Sequence, residues 1–359
     1  MFYLIALDKE FNMITPLAPV NVQWNRKYHE PGSFSIQLPL EQYSADMKYL
    51  YTKDRPEVGK ITQKNYAEKN GFAYKQLSGY FLENELNRHV VYPKGTTNIT
   101  NAPSWTSASG KAEEVAHKFF DGFKRIKTDT IDSVLNISKA PPLSRGKDSI
   151  HTRNGERLGA KIYDILKPSG MSYKIVYDFL ANTKTFAVWT GKDLTQGNKD
   201  GNNPVVFSTR YGNLRNPDLL DDETDHKNVC INDWTNDDKH TVRAVTNAPG
   251  AEEFTFIYNS TSENREEGAS DTEFYKLLDA ESLNVLADHE ITKNIEFDAD
   301  AGSYVYMQDF DLGDKCDLEI AGALQMEARL IACYEVIKSG EWSMTMEFGT
   351  PIVKKGGKY

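Results

Sequence analysis

The stretch "VNVQWNRKYHEPGSFSIQLPL", residues 20–40, sets two strand-like runs on either side of one turn. In the second run Phe34, Ile36 and Leu38 alternate with polar residues, the period of a strand that buries one face. Pro31-Gly32 marks the turn between the runs, because proline presets its own φ and glycine accepts conformations other residues avoid. The stretch therefore predicts a β-hairpin, and it sets the N-terminal part of the chain as sheet.

Outward from it the same pattern continues. "FYLIALD" (2–8), the turn-like "DKEFN" (8–12) and "MITPL" (13–17) predict an earlier hairpin, and "GYFLENELNRHVVYP" (79–93) a further strand pair. Residues 94–110, "KGTTNITNAPSWTSASG", are rich in Thr, Ser, Asn, Gly and Pro and carry little apolar periodicity, the mark of a linker and a domain boundary. Beyond it Ala112, Val115, Ala116, Phe119, Phe120, Phe123 and Ile126 follow the spacing of an amphipathic helix, with Ser109 as its N-cap. The phenylalanine stripe is read as a core face rather than a cofactor box. A second helix is expected from Asn154 to Lys167, stopped by Pro168-Ser169-Gly170. The alternating "MSYKIVYDF" (171–179) and "TFAVWTG" (185–191) then form a hairpin.

Strand character resumes at "VVFSTRYGNL" (205–214). Ser270 and Glu273 fit a capping box for a helix carrying Phe274, Leu277, Leu278, Leu283 and Leu286. The last fifty residues return to strands: "CDLEIAG" (316–322), "LQMEARLIACYEVI" (324–337) and "WSMTMEFGTP" (342–351). The pattern is α+β and β-rich, with β-rich ends around a mixed middle that hint at two related barrels.

Composition narrows function. A chain of 359 residues has room for two or three domains of about 100–200 residues. No apolar run reaches the roughly 18–20 residues of a membrane-spanning helix, and the apolar start is too short and lacks a basic leader segment; the expectation is a cytoplasmically made, unprocessed chain with no membrane span. A net charge of −10 disfavours a surface that grips duplex nucleic acid, which needs an excess of lysine and arginine. It suits a wall along which nucleic acid slides without sticking. Cys230, Cys316 and Cys333 are far apart and odd in number, so they are expected reduced and structural.

Catalytic signatures are sparse. The phosphate-cradling GxxxxGKS/T and GxGxxG loops, HExxH, GxSxG and CxxC are all missing from the sequence, so no cofactor, no metal and no catalytic residue is assigned. "YMQDFDLGDKCDLE" (306–319) does concentrate Asp309, Asp311, Asp314, Asp317 and Glu319. Counted from Asp309, glycine falls at position 5 rather than 6, which departs from a calcium-binding loop. Two of these carboxylates could pair as acid and base in a glycosidase, or Leu312-Gly313-Asp314 could be a turn into a strand. His226, Cys230 and His240 are weak metal candidates, with His226 and Cys230 placed to share a helix face. Arg26 and Lys27 beside Trp24 and Tyr28 could form a base-stacking surface or a strand edge. Three glycosylation sequons, at Asn98, Asn136 and Asn259, carry little weight in a chain rich in Asn, Ser and Thr.

The order of these segments resembles the siphophage baseplate hub, or tail-tip hub, proteins. In that family a W-x-R-x-Y-x-x-P-G-x-F segment follows the opening strands, matched here by Trp24, Arg26, Tyr28, Pro31, Gly32 and Phe34. A D-[YF]-D-L-G-D turn precedes the last strands, matched by Asp309, Phe310, Asp311, Leu312, Gly313 and Asp314. The resemblance runs nearly the whole chain, is loose over about 215–300, and implies that the acidic stretch is a structural corner. It further implies two tail-tube-like β-barrel domains, at 1–105 and 201–359, the second with a helical insertion, around a small helix-plus-hairpin α/β domain at 106–200. The implied protein is a non-enzymatic virion component assembled in the host cytoplasm, a homotrimer whose six barrels continue a six-fold tube. Its implied partners are the tail tube, distal-tail and tape-measure proteins and tip fibre or receptor-binding proteins, with DNA passing through its lumen without specific binding. Longer members carry a hydrolase or fibre extension; because this sequence ends at "KKGGKY", such an activity is expected on a separate protein. A carboxylate-dependent cell-wall hydrolase and a carbohydrate-binding module are the alternative readings.

Overall fold

A computed structural model describes residues 3–69, 71–92, 105, 107–123, 136–235, 240–261, 270–299, 304–321, 324–338 and 340–349. Most of the stretch 94–110, Ile126, the Asn98 sequon and the C-terminal "KKGGKY" lie outside the described residues.

The N-terminal part forms β1 (Leu4–Leu7), β2 (Met13–Leu17), β3 (Asn21–Lys27), β4 (Ser33–Pro39), β5 (Tyr49–Tyr51), β6 (Gly59–Lys69) and β7 (Phe72–Phe81). The middle forms β8 (Ser107–Lys111), α1 (Ala112–Phe123), β9 (Ile137–Lys139), β10 (Asp148–Thr152), α2 (Leu158–Leu166), β11 (Ser172–Asp178) and β12 (Thr183–Trp189). The C-terminal part forms β13 (Val206–Ser208), β14 (Leu214–Asp222), β15 (Val229–Thr235), β16 (His240–Thr246), β17 (Phe256–Thr261), α3 (Asp271–Ala287), β18 (Thr292–Ala299), β19 (Lys315–Ile320), β20 (Leu324–Lys338) and β21 (Glu341–Gly349).

The chain is α+β and β-rich, as its patterning predicts. Both expected N-terminal hairpins form: β1 pairs antiparallel with β2 and β3 with β4. One sheet then runs β14-β18-β21-β20-β3-β4-β7-β6-β5-β1-β2, with β19 and β13 branching from β20. The two β-rich ends meet where β3 pairs with β20, from Asn21↔Lys338 to Lys27↔Ala332. Among the described residues this ladder stays open and closes no barrel. Each end keeps its own core, one around Trp24, Phe34 and Leu77 and one around Phe207, Phe297 and Phe348.

The middle buries a third core in which the phenylalanine stripe of α1 meets α2 and the β11–β12 hairpin. Phe120 stacks on Phe186 with ring centroids 4.3 Å apart, which makes the stripe a packing face. α1 begins later than expected. Ser109 lies within β8, paired with Ile150, and the first helical N–H groups, of Ala112 and Glu113, are satisfied by the carbonyls of Lys147 and Arg145. Tertiary backbone contacts replace the side-chain cap. The strand pair expected after Gly79 also changes character. β7 ends at Phe81, and Leu82–Arg88 forms a 3-10 segment that buries Leu82 and Leu86 on one side.

The largest departure lies between 215 and 300. Where the sequence resemblance is loose, β15, β16 and β17 form a separate three-stranded sheet covered by α3. Trp234 packs edge-on against Phe274 at 4.6 Å, and Asn232 Nδ2 donates to the Leu278 carbonyl at 3.1 Å. The outer face of this sheet leaves the apolar side chains of Val242, Phe256 and Tyr258 exposed, so both faces carry apolar residues and the strand alternation is blurred. α3 starts with the expected capping box between Ser270 and Glu273.

Candidate functional site

Alternation along β3 sends Val22, Trp24 and Arg26 to one buried face, and Tyr28, one residue past the strand, continues it. Trp24 fills the N-terminal core against Phe81, at 4.7 Å between centroids, and Phe34, at 5.8 Å. Two residues on, the same face meets the turn at 309–314, and the side chain there is a guanidinium. Arg26 Nε donates to Glu57 Oε1 at 2.7 Å, and Nη1 donates to Asp311 Oδ1 at 2.7 Å and to the Tyr306 hydroxyl. The Tyr306 ring also faces the guanidinium carbons of Arg26 and Arg55, each 5.6 Å from its centroid. Arg55 in turn pairs with the buried Glu335, Nε to Oε1 at 2.8 Å.

Burial opposes the charge on Arg26, but Glu57, Tyr306 and Asp311 outweigh it and hold the guanidinium protonated well above its usual range. A buried charge with matched partners holds a register firmly, because removing one member strands the others.

The turn uses each of its acidic side chains as an acceptor. Asp309 Oδ2 accepts from the Val305 N–H at 2.7 Å, and Asp311 Oδ1 from the Leu312 N–H at 2.7 Å as well as from Arg26. Asp314 is buried: Oδ2 accepts from the Asp311 N–H at 2.8 Å and Oδ1 from the Lys192 N–H at 2.6 Å. Burial raises its pKa above the ordinary value, although those two N–H groups pull the other way. Phe310 and Leu312 enter the C-terminal core. Gly313 takes φ of +87°, and a Cβ there would lie 2.4 Å from Cε2 of Tyr28, so a side chain is excluded on both backbone and steric grounds. Asp317 and Glu319 lie beyond the turn in β19, accepting from the Gln196 N–H and from Ser208 Oγ.

Tyr28 ties in the middle of the chain. Its hydroxyl donates to the Gly170 carbonyl at 2.9 Å, its ring meets Trp189 edge-on at 5.0 Å, and its carbonyl accepts from Ser172 Oγ. Pro31 and Gly32 turn the chain between β3 and β4, and the Gly32 α-carbon sits so close to Asn25 and Phe81 that an added Cβ would stand 2.4 Å from the Asn25 carbonyl oxygen. The two sequence motifs, about 285 residues apart, thus form one joint on which all three parts of the chain converge.

Other candidates disperse. Trp24, Arg26 and Tyr28 are buried, and β3 lies inside the sheet between β20 and β4, so they form neither a strand edge nor an accessible stacking surface. Cys230 lies in β15 rather than on a helix, His226 Nδ1 contacts the His289 carbonyl, and His240 pairs with Asp233. Among the described residues no group of three or more His, Cys, Asp or Glu is arranged to hold a metal, and no helix is long and apolar enough to cross a membrane. A cleft of about 380 Å³ opens between α2, α3 and β20, with His151, Lys161, Glu281 and Arg329 in its wall. Sequence reasoning missed Glu57, Arg55, Glu335 and Lys192, because their partners are 31 to 280 residues distant and nothing in their local pattern signals pairing.

Among solved structures the fold is that of phage tail proteins. A tail protein from Neisseria meningitidis MC58 is similar at a TM-score of 0.56 and 12% identity, over 97% of this chain and 96% of that one. Prophage tail protein gp18 from Listeria monocytogenes EGD-e is similar at 0.54 and 8% identity, over 98% and 95% of the two chains. The 43 kDa tail protein of prophage MuSo2 from Shewanella oneidensis is similar at 0.51 and 10% identity, over 98% of both. No curated protein sequence matches the chain. Residues 7–350 match the sequence model of the family described as Siphovirus ReqiPepy6 Gp37-like protein, and with that span the chain belongs to this family.

Proposed function

We propose that this chain is the hub of a phage tail tip, a structural virion component that joins the tail tube to the tip and rings the path of the DNA. The observation that carries the proposal is the joint at Arg26 and Asp311. It fixes two β-rich units, each with its own core, at one register in a single chain of tail-protein fold. Three such chains would offer six tube-like units, which is how a three-fold ring can continue a six-fold tube. The units correspond to 1–105 and 201–359, with 106–200 as the α/β unit between them. The net charge of −10 suits a lumen that should not hold its cargo. Partners on this reading are the tube, distal-tail, tape-measure and tip fibre or receptor-binding proteins.

In this role Trp24, Arg26, Pro31, Gly32, Asp309, Asp311, Leu312, Gly313 and Asp314 act as structural positions of the joint rather than as catalysts. Light scattering on the eluting peak of the purified chain, with negative-stain averages alone and with tail tube and distal-tail proteins, tests the proposal. A trimeric ring with an open centre is the expected result. A chain that stays monomeric with those partners present, or cell-wall clearing in a zymogram that Asp311→Asn abolishes without unfolding the protein, would overturn it.

A further inference from the structure

The joint encloses a feature that its role as a corner leaves unused. Beside Arg26 lies a cavity of about 40 Å³ whose wall includes Glu57, Glu83, Lys174, Trp189 and Asp311. Three polar atoms of these residues, Glu57 Oε2, Glu83 Oε2 and Trp189 Nε1, are buried without a hydrogen-bond partner. Glu83 is 6% exposed and sits in the 3-10 segment after β7. Its other oxygen, Oε1, accepts from the Ile175 N–H of β11 at 3.1 Å. One carboxyl group therefore spans the seam between the N-terminal sheet and the α/β unit.

Buried polar atoms in native proteins are satisfied by protein or by ordered water. A water needs roughly 10–15 Å³ of such space and two to four polar partners, and this cavity supplies both. We propose that the cavity is a water site, and that the water and a proton on Glu83 together form an acid-held latch across this seam. Two carboxyl groups on one small cavity cannot both carry charge cheaply. Glu57 is the one already compensated, by Arg26.

The groups facing Glu83 are Glu57 and Arg26 from the N-terminal part, Tyr163 from α2, and Tyr173 and Lys174 from β11, with Asp311 across the cavity. Arg26 is committed to Glu57, Asp311 and Tyr306, and Lys174 Nζ lies 4.6 Å over the Trp189 ring. Tyr173 donates to the Glu83 backbone carbonyl at 3.2 Å and leaves the carboxyl alone. Burial, with Glu57 adding to it, pushes the Glu83 carboxyl up to about 7 against the opposing pull of Ile175 N–H and Arg26.

A glutamic acid in the unfolded chain titrates near about 4.3. Because the folded value is the higher one, the latch contributes fully below the unfolded value, weakens as pH rises, and is lost once pH passes about 7. Ionised Glu83 then repels Glu57, and the seam loosens.

Urea denaturation of the full chain from pH 5 to 8, together with hydrogen exchange of peptides covering 82–88 and 172–178, tests the latch. Over that range the unfolding equilibrium constant of the wild type should rise relative to Glu83→Gln on the order of a hundredfold. Exchange in the two peptides, corrected for the intrinsic pH effect, should rise with the same midpoint, and Glu57→Gln should move that midpoint down. Parallel pH profiles for wild type and Glu83→Gln would overturn the proposal. Where Glu83→Gln does not fold, the wild type alone decides. An infrared band from a protonated carboxyl that persists at pH 6 and vanishes by pH 8 supports the latch, and its absence at pH 6 refutes it.

Discussion

Arg26→Met keeps most of the side chain's length and apolar volume while deleting the charge on which the joint turns. Glu57, whose side chain is 12% exposed, then faces a buried site without its cation, and removing one member of a buried pair costs about 3–5 kcal/mol. Asp311 has a side chain 38% exposed, so solvent screens its share and that arm contributes about 0.2–1 kcal/mol. The loss should therefore come mainly through Glu57. In double-mutant cycles Arg26 should couple to Glu57 by about 2 kcal/mol or more and to Asp311 by less than about 1. Urea denaturation followed by tryptophan fluorescence reads both, since Trp24 and Trp189 flank the joint. A total loss below about 1 kcal/mol, the centre of the distribution for ordinary point changes, or equal coupling to the two carboxylates, would refute the reasoning.

Gly32→Ala should destabilise by about 1–3 kcal/mol, because its Cβ would stand 2.4 Å from a backbone oxygen and 2.5 Å from the Phe81 ring; a thermal midpoint unchanged within a degree would contradict this. Ser270→Ala removes the capping box of α3 and should cost about 0.5–2 kcal/mol, seen as faster hydrogen exchange in the first turn of that helix while β3 and β20 stay protected. Cys230, Cys316 and Cys333 are free and buried, and burial pushes all three thiols up. A thiol reagent at pH 8 should therefore leave the native protein unlabelled and label three sites after denaturation; rapid native labelling would show that the cores open.

Much of the fold is legible in short-range pattern. The alternation of Phe34, Ile36 and Leu38 specified β4 and its buried face, and the 3.6-residue spacing of Val115, Ala116, Phe119 and Phe120 specified α1. Ser270 and Glu273 specified where α3 begins. Each is a local device, in which a side chain chooses its face or satisfies an N–H within a turn of itself.

Elements fixed by distant partners gave no such signal. The start of α1 depends on the carbonyls of Lys147 and Arg145, and the 3-10 course of Leu82–Arg88 on the core it covers. β15, β16 and β17 bury one face against α3 and leave the other to solvent, so an apolar residue such as Tyr258 on the outer face blurs the alternation.

The sequence by itself determined the turn at Pro31-Gly32, whose two residues are turn chemistry, and offered Leu312-Gly313-Asp314 as a turn beside the alternative of an acid and base pair. Only the tertiary structure decided that these turns meet. Pairing of β3 with β20 brings Arg26 to Asp311 across 285 residues, and an ion pair depends on a separation in space that no spacing along the chain encodes.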